Sequence, residues 1–119
     1  MFVKILKSKL HCARVTDTKL HYAGSVAVDS ELMNAVGFLP YESVTIADLN
    51  NGNRLETYII PAKAGSGDVV VMGAAARLIN PKDIVIIFSF AFVTPEEAKE
   101  FRPKIVALDE KNRIAKKIS

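Results

Sequence analysis

Few side chains in this 119-residue chain have the types and spacing for chemistry. Lys9 and His11 are two residues apart and share one face of a strand, and Arg54 and Tyr58, four apart, share one face of another. Cations held inward need an anion; at a barrel rim the same side chains keep their heads in water. His11, Cys12 and His21 are the only His or Cys residues, too few for a structural tetrahedral zinc site without a carboxylate. In a regular strand the adjacent His11 and Cys12 also point to opposite faces, so no metal site is expected. Gly65-Ser66-Gly67 has neither a following Lys-Ser or Lys-Thr on a helix nor a three-glycine fingerprint, and reads as a flexible turn rather than a phosphate cradle. Gly24-Ser25, taken alone, is an ordinary turn dipeptide.

The elements that position these residues are mostly strands. Short apolar runs rich in Val and Ile, separated by turn residues, predict a long strand over 3–16, bent or interrupted near Ser8, then strands over 44–49, 54–60, 69–72, 84–92 and 104–108. Asn50-Asn51-Gly52-Asn53 joins the second and third of these, and its Asn-Gly tolerates the positive φ angles of a tight hairpin. Helices are short. Asp29 or Ser30 can cap a segment that runs to Val36 and stops at Gly37, and Thr94-Pro95-Glu96-Glu97 combines an N-cap, a Pro at the first helical position and a capping-box Glu for a helix to about Phe101. Gly73 to Arg77 is one helical turn or a loop with exposed backbone. So many short strands in so small a chain indicate a compact, mainly β barrel with two or three short helices.

Length and composition set the frame. At 119 residues, 50% hydrophobic and 24% charged, the chain is one domain able to bury a core. The net charge is +3, but Lys111, Arg113, Lys116 and Lys117 supply four positive charges in a stretch without acids. That pattern predicts a solvated or frayed tail rather than the basic patch of a nucleic-acid binder. The longest apolar run, Ile84 to Val93, is ten residues and includes Ser89, whereas a membrane helix needs about 20. The first residues do not form a secretory signal and one cysteine makes no internal disulfide, so a cytoplasmic location is expected.

The sequence around Gly24-Ser25 carries more. Lys9-Leu10-His11, Leu20-His21-Tyr22-Ala23-Gly24-Ser25, Asn51-Gly52-Asn53-Arg54-Leu55-Glu56-Thr57-Tyr58, Gly73-Ala74-Ala75-Ala76 and Asp83-Ile84-Val85-Ile86-Ile87 closely resemble the pyruvoyl-dependent aspartate decarboxylases, from Met1 to about Arg113. The resemblance implies a double-psi β-barrel and a homotetramer with active sites between subunits. It implies that the chain cuts itself between Gly24 and Ser25 into 1–24 and 25–119. Ser25 would become a covalent pyruvoyl group, the only cofactor, on which the amine of L-aspartate forms a Schiff base before losing CO₂ to give β-alanine for pantothenate. By the same resemblance Thr57 stabilises the oxyanion of self-cleavage and also sits near substrate, Tyr58 reprotonates the α-carbon, Arg54 grips a carboxylate, Lys9 and His11 complete the anion pocket, and backbone at Gly73, Ala74 and Ala75 lines it. Gly24, lacking Cβ, would take strained geometry and let the hydroxyl approach.

One position departs from the pattern. Met72 stands where an Asn usually precedes the Gly-Ala-Ala-Ala run, and it can neither donate nor strongly accept a hydrogen bond. Val26 and Ala47 also differ, in ways that concern packing. The rival reading is a barrel that never matures and binds small anions. Gly24, Ser25, Arg54, Thr57 and Tyr58 together speak against it, because only the first two would be needed for a turn.

Overall fold

Branched residues favour strands because their side chains pack well on a pleated surface, and the computed structural model, which describes residues 1–119, is accordingly mainly β. In chain order the elements are β1 (Val3–Arg14), β2 (Asp17–Lys19), β3 (Ser25–Asp29), α1 (Ser30–Val36), β4 (Ser43–Asp48), β5 (Arg54–Ala62), β6 (Val69–Met72), a 3-10 turn (Gly73–Arg77), β7 (Ile84–Val93), α2 (Pro95–Glu100), β8 (Lys104–Leu108) and β9 (Ile114–Lys117). The strands form one sheet in the order β2-β6-β3-β5-β4-β7-β1-β8-β9. Five strands, β1, β3, β5, β6 and β8, each have one parallel and one antiparallel neighbour. β1 lies between antiparallel β7 and parallel β8, and β3 between antiparallel β6 and parallel β5. This interleaving wraps the sheet around a core that includes Leu10, Val28, Ile46, Ile59, Val71 and Ile87. Alternate residues supply it, as in β4, where Val44, Ile46 and Asp48 are buried. No helix is long and apolar enough to cross a membrane.

The helix signals work as their chemistry dictates. The Asp29 carboxylate accepts from the Glu31 amide, and Gly37 ends α1 at φ +78°, a left-handed C-cap. Thr94 and Glu97 form the capping box of α2.

Four local expectations need correction. Lys111 to Ser119 is not a frayed tail: β9 is exposed along its length but pairs antiparallel with β8. The reason is Asn112, only 2% exposed, which donates to the carbonyls of Arg14 and Gly67 and accepts from the Arg14 amide, so that the turn before β9 is pinned to the barrel. Gly65-Ser66-Gly67 is not a free turn either, because the Asp29 carboxylate accepts from the Gly65 and Gly67 amides at 3.0 and 2.9 Å. The Asn-Gly step supplies one positive φ, at Gly52, not the pair a two-residue hairpin turn requires. Finally, β1 is not regular at His11-Cys12: Cys12 has φ +63° inside a register shift between Leu10 and Ala13, which breaks the simple alternation.

Candidate active site

Ser25 opens β3, 3% exposed, with its backbone opposite Met72 of β6. Gly24, just outside the strand, lines a cavity of about 290 Å³ with Leu55, Thr57, Met72, Ala74 and Ala75. Thr57 reaches it because alternation along β5 turns Leu55, Thr57 and Ile59 toward the barrel while Arg54 and Tyr58 turn outward. Gly73 opens the 3-10 turn at φ +79° and backs directly onto Gly24. Gly24 itself is not the strained residue. It has no left-handed φ, and a Cβ there would meet nothing nearer than the Met72 carbonyl at 4.0 Å. The crowding expected at Gly24 is therefore found at Gly73.

A second cavity, about 310 Å³, lies on the outer face of β5 and holds the cations. Lys9 and Arg54 line it with Leu6, Ala47, Ile86, Phe88 and Phe90. Lys9 is directly opposite Phe88 across β1 and β7, and the Arg54 guanidinium carbon sits 5.0 Å from the Phe88 ring centroid. The molecule's one ion pair is Lys7 with Glu42, at 3.0 Å, so neither Lys9 nor Arg54 has a carboxylate partner. Tyr58 shares the outward face with Arg54, its ring 6.2 Å from that of Tyr41. His11 lines neither cavity; its backbone is paired with Ala107 of β8.

One loop ties the two cavities together. The Asp48 carbonyl accepts from the Gly52 amide and its Oδ1 from the Asn50 amide, which shapes the loop that delivers Arg54. From that loop Asn51 and Asn53 each donate through Nδ2 to the Leu78 carbonyl, at 3.0 and 2.8 Å, at the end of the 3-10 turn. Asp48 is buried beside Asp83, and burial together with that second carboxyl pushes it up to about 6.

The chain thus brings Gly24, Thr57, Ala74 and Ala75 together, and separately Lys9 with Arg54, but leaves the two groups on opposite faces of β5. Sequence reasoning missed Phe88 as the floor beneath Arg54. Its signal was weak, since only the pairing of Lys9 with Phe88, not either run alone, puts the ring under the cations. Leu55 and Leu78 were missed as well, and as apolar residues beside a polar motif they carry no signal of their own.

Fold and site define a small mainly β barrel with a Gly-Ser junction whose serine is buried and whose glycine is exposed, and an unpaired cation pocket. Residues 1–115 match the family model described as aspartate decarboxylase. An aspartate 1-decarboxylase of Acetivibrio thermocellus is 49% identical over 96% of this chain and 90% of its own, and one of Bacteroides thetaiotaomicron is 51% identical over 92% and 93%. The chain belongs to the aspartate decarboxylase family, and its interleaved parallel and antiparallel pairs are those of a double-psi β-barrel. A computationally designed protein of that fold aligns with 73% of this chain and 99% of its own at a TM-score of 0.49 and 18% identity.

Proposed function

We propose that this chain is a precursor that cuts itself between Gly24 and Ser25 and that fragment 25–119 then decarboxylates L-aspartate to β-alanine, a step of pantothenate synthesis in the cytoplasm. The observation that carries the reading is the shared cavity of Gly24 and Thr57, with Ser25 next in the chain to Gly24 and Gly73 backed onto it. In the cut, Ser25 Oγ attacks the Gly24 carbonyl carbon; the new C–O bond replaces the C–N bond, and the hydroxyl proton ends on the freed amine. The Thr57 hydroxyl is the donor for the oxyanion that develops. Loss of the Ser25 α-proton then expels Gly24 as a carboxylate and leaves dehydroalanine, which water converts to a ketone with release of ammonia.

The residues fit that ketone: Ser25 is buried at the head of a strand whose neighbours are small or apolar, so its product is held in one place. When formed, the pyruvoyl group supplies the electron sink for loss of CO₂, made from the chain itself with no diffusible cofactor. Arg54 offers a bidentate fork to a substrate carboxylate, Lys9 adds a second charge in the same cavity, and Tyr58 is the proton donor to the α-carbon. His11 completes the anion pocket, and backbone of Gly73, Ala74 and Ala75 borders the substrate. Because Ser25 and Arg54 open on opposite sides of β5, a site made of both needs two copies of the chain. That supports a homotetramer with active sites between subunits.

Intact mass tests the reading. The protein incubated warm should give fragments 1–24 and 25–119, the larger lacking a free amine, whereas Ser25→Ala should stay whole. A wild type that remains one chain and makes no β-alanine would leave the anion-binding barrel as the better description.

A further inference from the structure

The least forgiving contact in the molecule is the one between Gly73 and the segment before the scissile bond. A Cβ on Gly73 would lie 2.6 Å from Gly24 Cα, 2.9 Å from Gly24 N and 3.1 Å from the Tyr22 carbonyl oxygen. All three are backbone atoms, so no rotation of a side chain relieves the overlap. By contrast Gly52, which also has a left-handed φ (+77°), has nothing within 4 Å of where a Cβ would lie. Two glycines therefore carry the same backbone requirement, and only one is also a steric seat.

We propose that Gly73 is a positioning residue for self-cleavage: the bare face of its Cα seats residues 22–24 and thereby fixes the Gly24 carbonyl before the Ser25 hydroxyl. This rests on the self-cleavage reading above and gives Gly73 a role in the precursor, separate from bordering the substrate. The geometry explains the division of labour. Gly24 has room for a methyl group, whereas residue 73 has none, because the chain that must be aimed lies across it. The pairing of Ser25 with Met72 holds the other side of the bond, so residues 72 and 73 grip the junction from consecutive positions. Moving residues 22–24 by even part of an ångström takes the carbonyl out of line, and attack at a carbonyl is steeply sensitive to such displacement.

The test compares three variants of the full-length precursor by following uncut chain over time with mass spectrometry, alongside melting temperature. Gly73→Ala adds both the φ penalty and the Cβ. Gly73→Asn adds the Cβ with the residue that best tolerates a left-handed φ, and it keeps the test alive if the alanine variant does not fold. Gly52→Ala adds the φ penalty alone. Both Gly73 variants should cut at least about tenfold more slowly than wild type, while Gly52→Ala cuts within about twofold of it. A folded Gly73 variant that cuts at the wild-type rate overturns the proposal, as does equal slowing in Gly52→Ala, which would reduce the role of Gly73 to general stability. A wild type that never cuts overturns the self-cleavage reading and this proposal with it.

Discussion

At the scale of single residues, the proposed choice of substrate falls on the cation pocket. Arg54 is exposed and stacked on Phe88, and neither it nor Lys9 is engaged by an acid, so a substrate carboxylate meets them without having to displace one. A hydrogen-bonded charge pair contributes about 1.5–3 kcal/mol. Aspartate should therefore exceed alanine in kcat/KM by roughly 10- to 150-fold, and Arg54→Ala should erase the preference. If Tyr58 is the proton donor proposed above, Tyr58→Phe should still cut itself but lose most β-alanine production; full activity would move that donor elsewhere. Met72 bears on the proposed self-cleavage. It precedes the 3-10 turn in extended conformation, gives that turn no side-chain cap, and lies opposite Ser25. Met72→Asn would restore one polar group beside the junction, worth about 0.5–1.5 kcal/mol, and should speed self-cleavage roughly three- to tenfold. Turnover per ketone should change less; the reverse pattern would place residue 72 on the substrate.

At the scale of elements, the turn before β9 fastens two separate parts of the barrel. Asn112→Ala would strand the Arg14 amide and the Gly67 carbonyl and place alanine at φ +58°. It should cost about 2–4 kcal/mol, measured by urea unfolding in the uncut Ser25→Ala background. The same latch shows why the tail was illegible in the sequence. Lys116 and Lys117 carry no inward pattern, and what orders them is a contact from residue 112 to residue 14. Local signals, such as Asp29 with Glu31 and Thr94 with Glu97, were readable because both partners lie within one turn of helix. For the same reason the bend near Ser8 was visible, while the left-handed Cys12 was not: its cause is the register of β1 on β7. The candidate site divides in the same way. Its residue types came from motifs and resemblance, but the shift of crowding from Gly24 to Gly73 comes from chain crossing between residues far apart in sequence.

At the scale of the whole molecule, pH acts through two buried carboxylates of opposite sign. Burial alone would raise Asp29, but the amides of Gly67, Glu31 and Gly65 outweigh it and hold the group below its usual value of 3.8. Its contribution is present above that value and is lost as pH falls through its lower native one. Asp48 works the other way. It is raised from 3.8 to about 6 by burial and by Asp83, and its Oδ2 is buried without a donor. The folded chain therefore holds that proton more tightly than the unfolded one. Its contribution is complete below about pH 4 and is lost as pH rises through about 6, a loss on the order of 1–3 kcal/mol. Asp48→Asn should abolish this slope, because the amide keeps the acceptor for the Asn50 amide and adds a donor toward Asp83. In the Ser25→Ala background the variant should be more stable by about 1–2 kcal/mol at pH 7.5, with the advantage shrinking toward pH 4.5. Since the loop rooted on Asp48 carries Arg54 and reaches Leu78, loss of the Asp48 proton should raise the KM for aspartate above pH 6, and the same substitution should flatten that rise. Parallel stability curves for the two proteins across that range would show that the carboxyl pair does not share a proton.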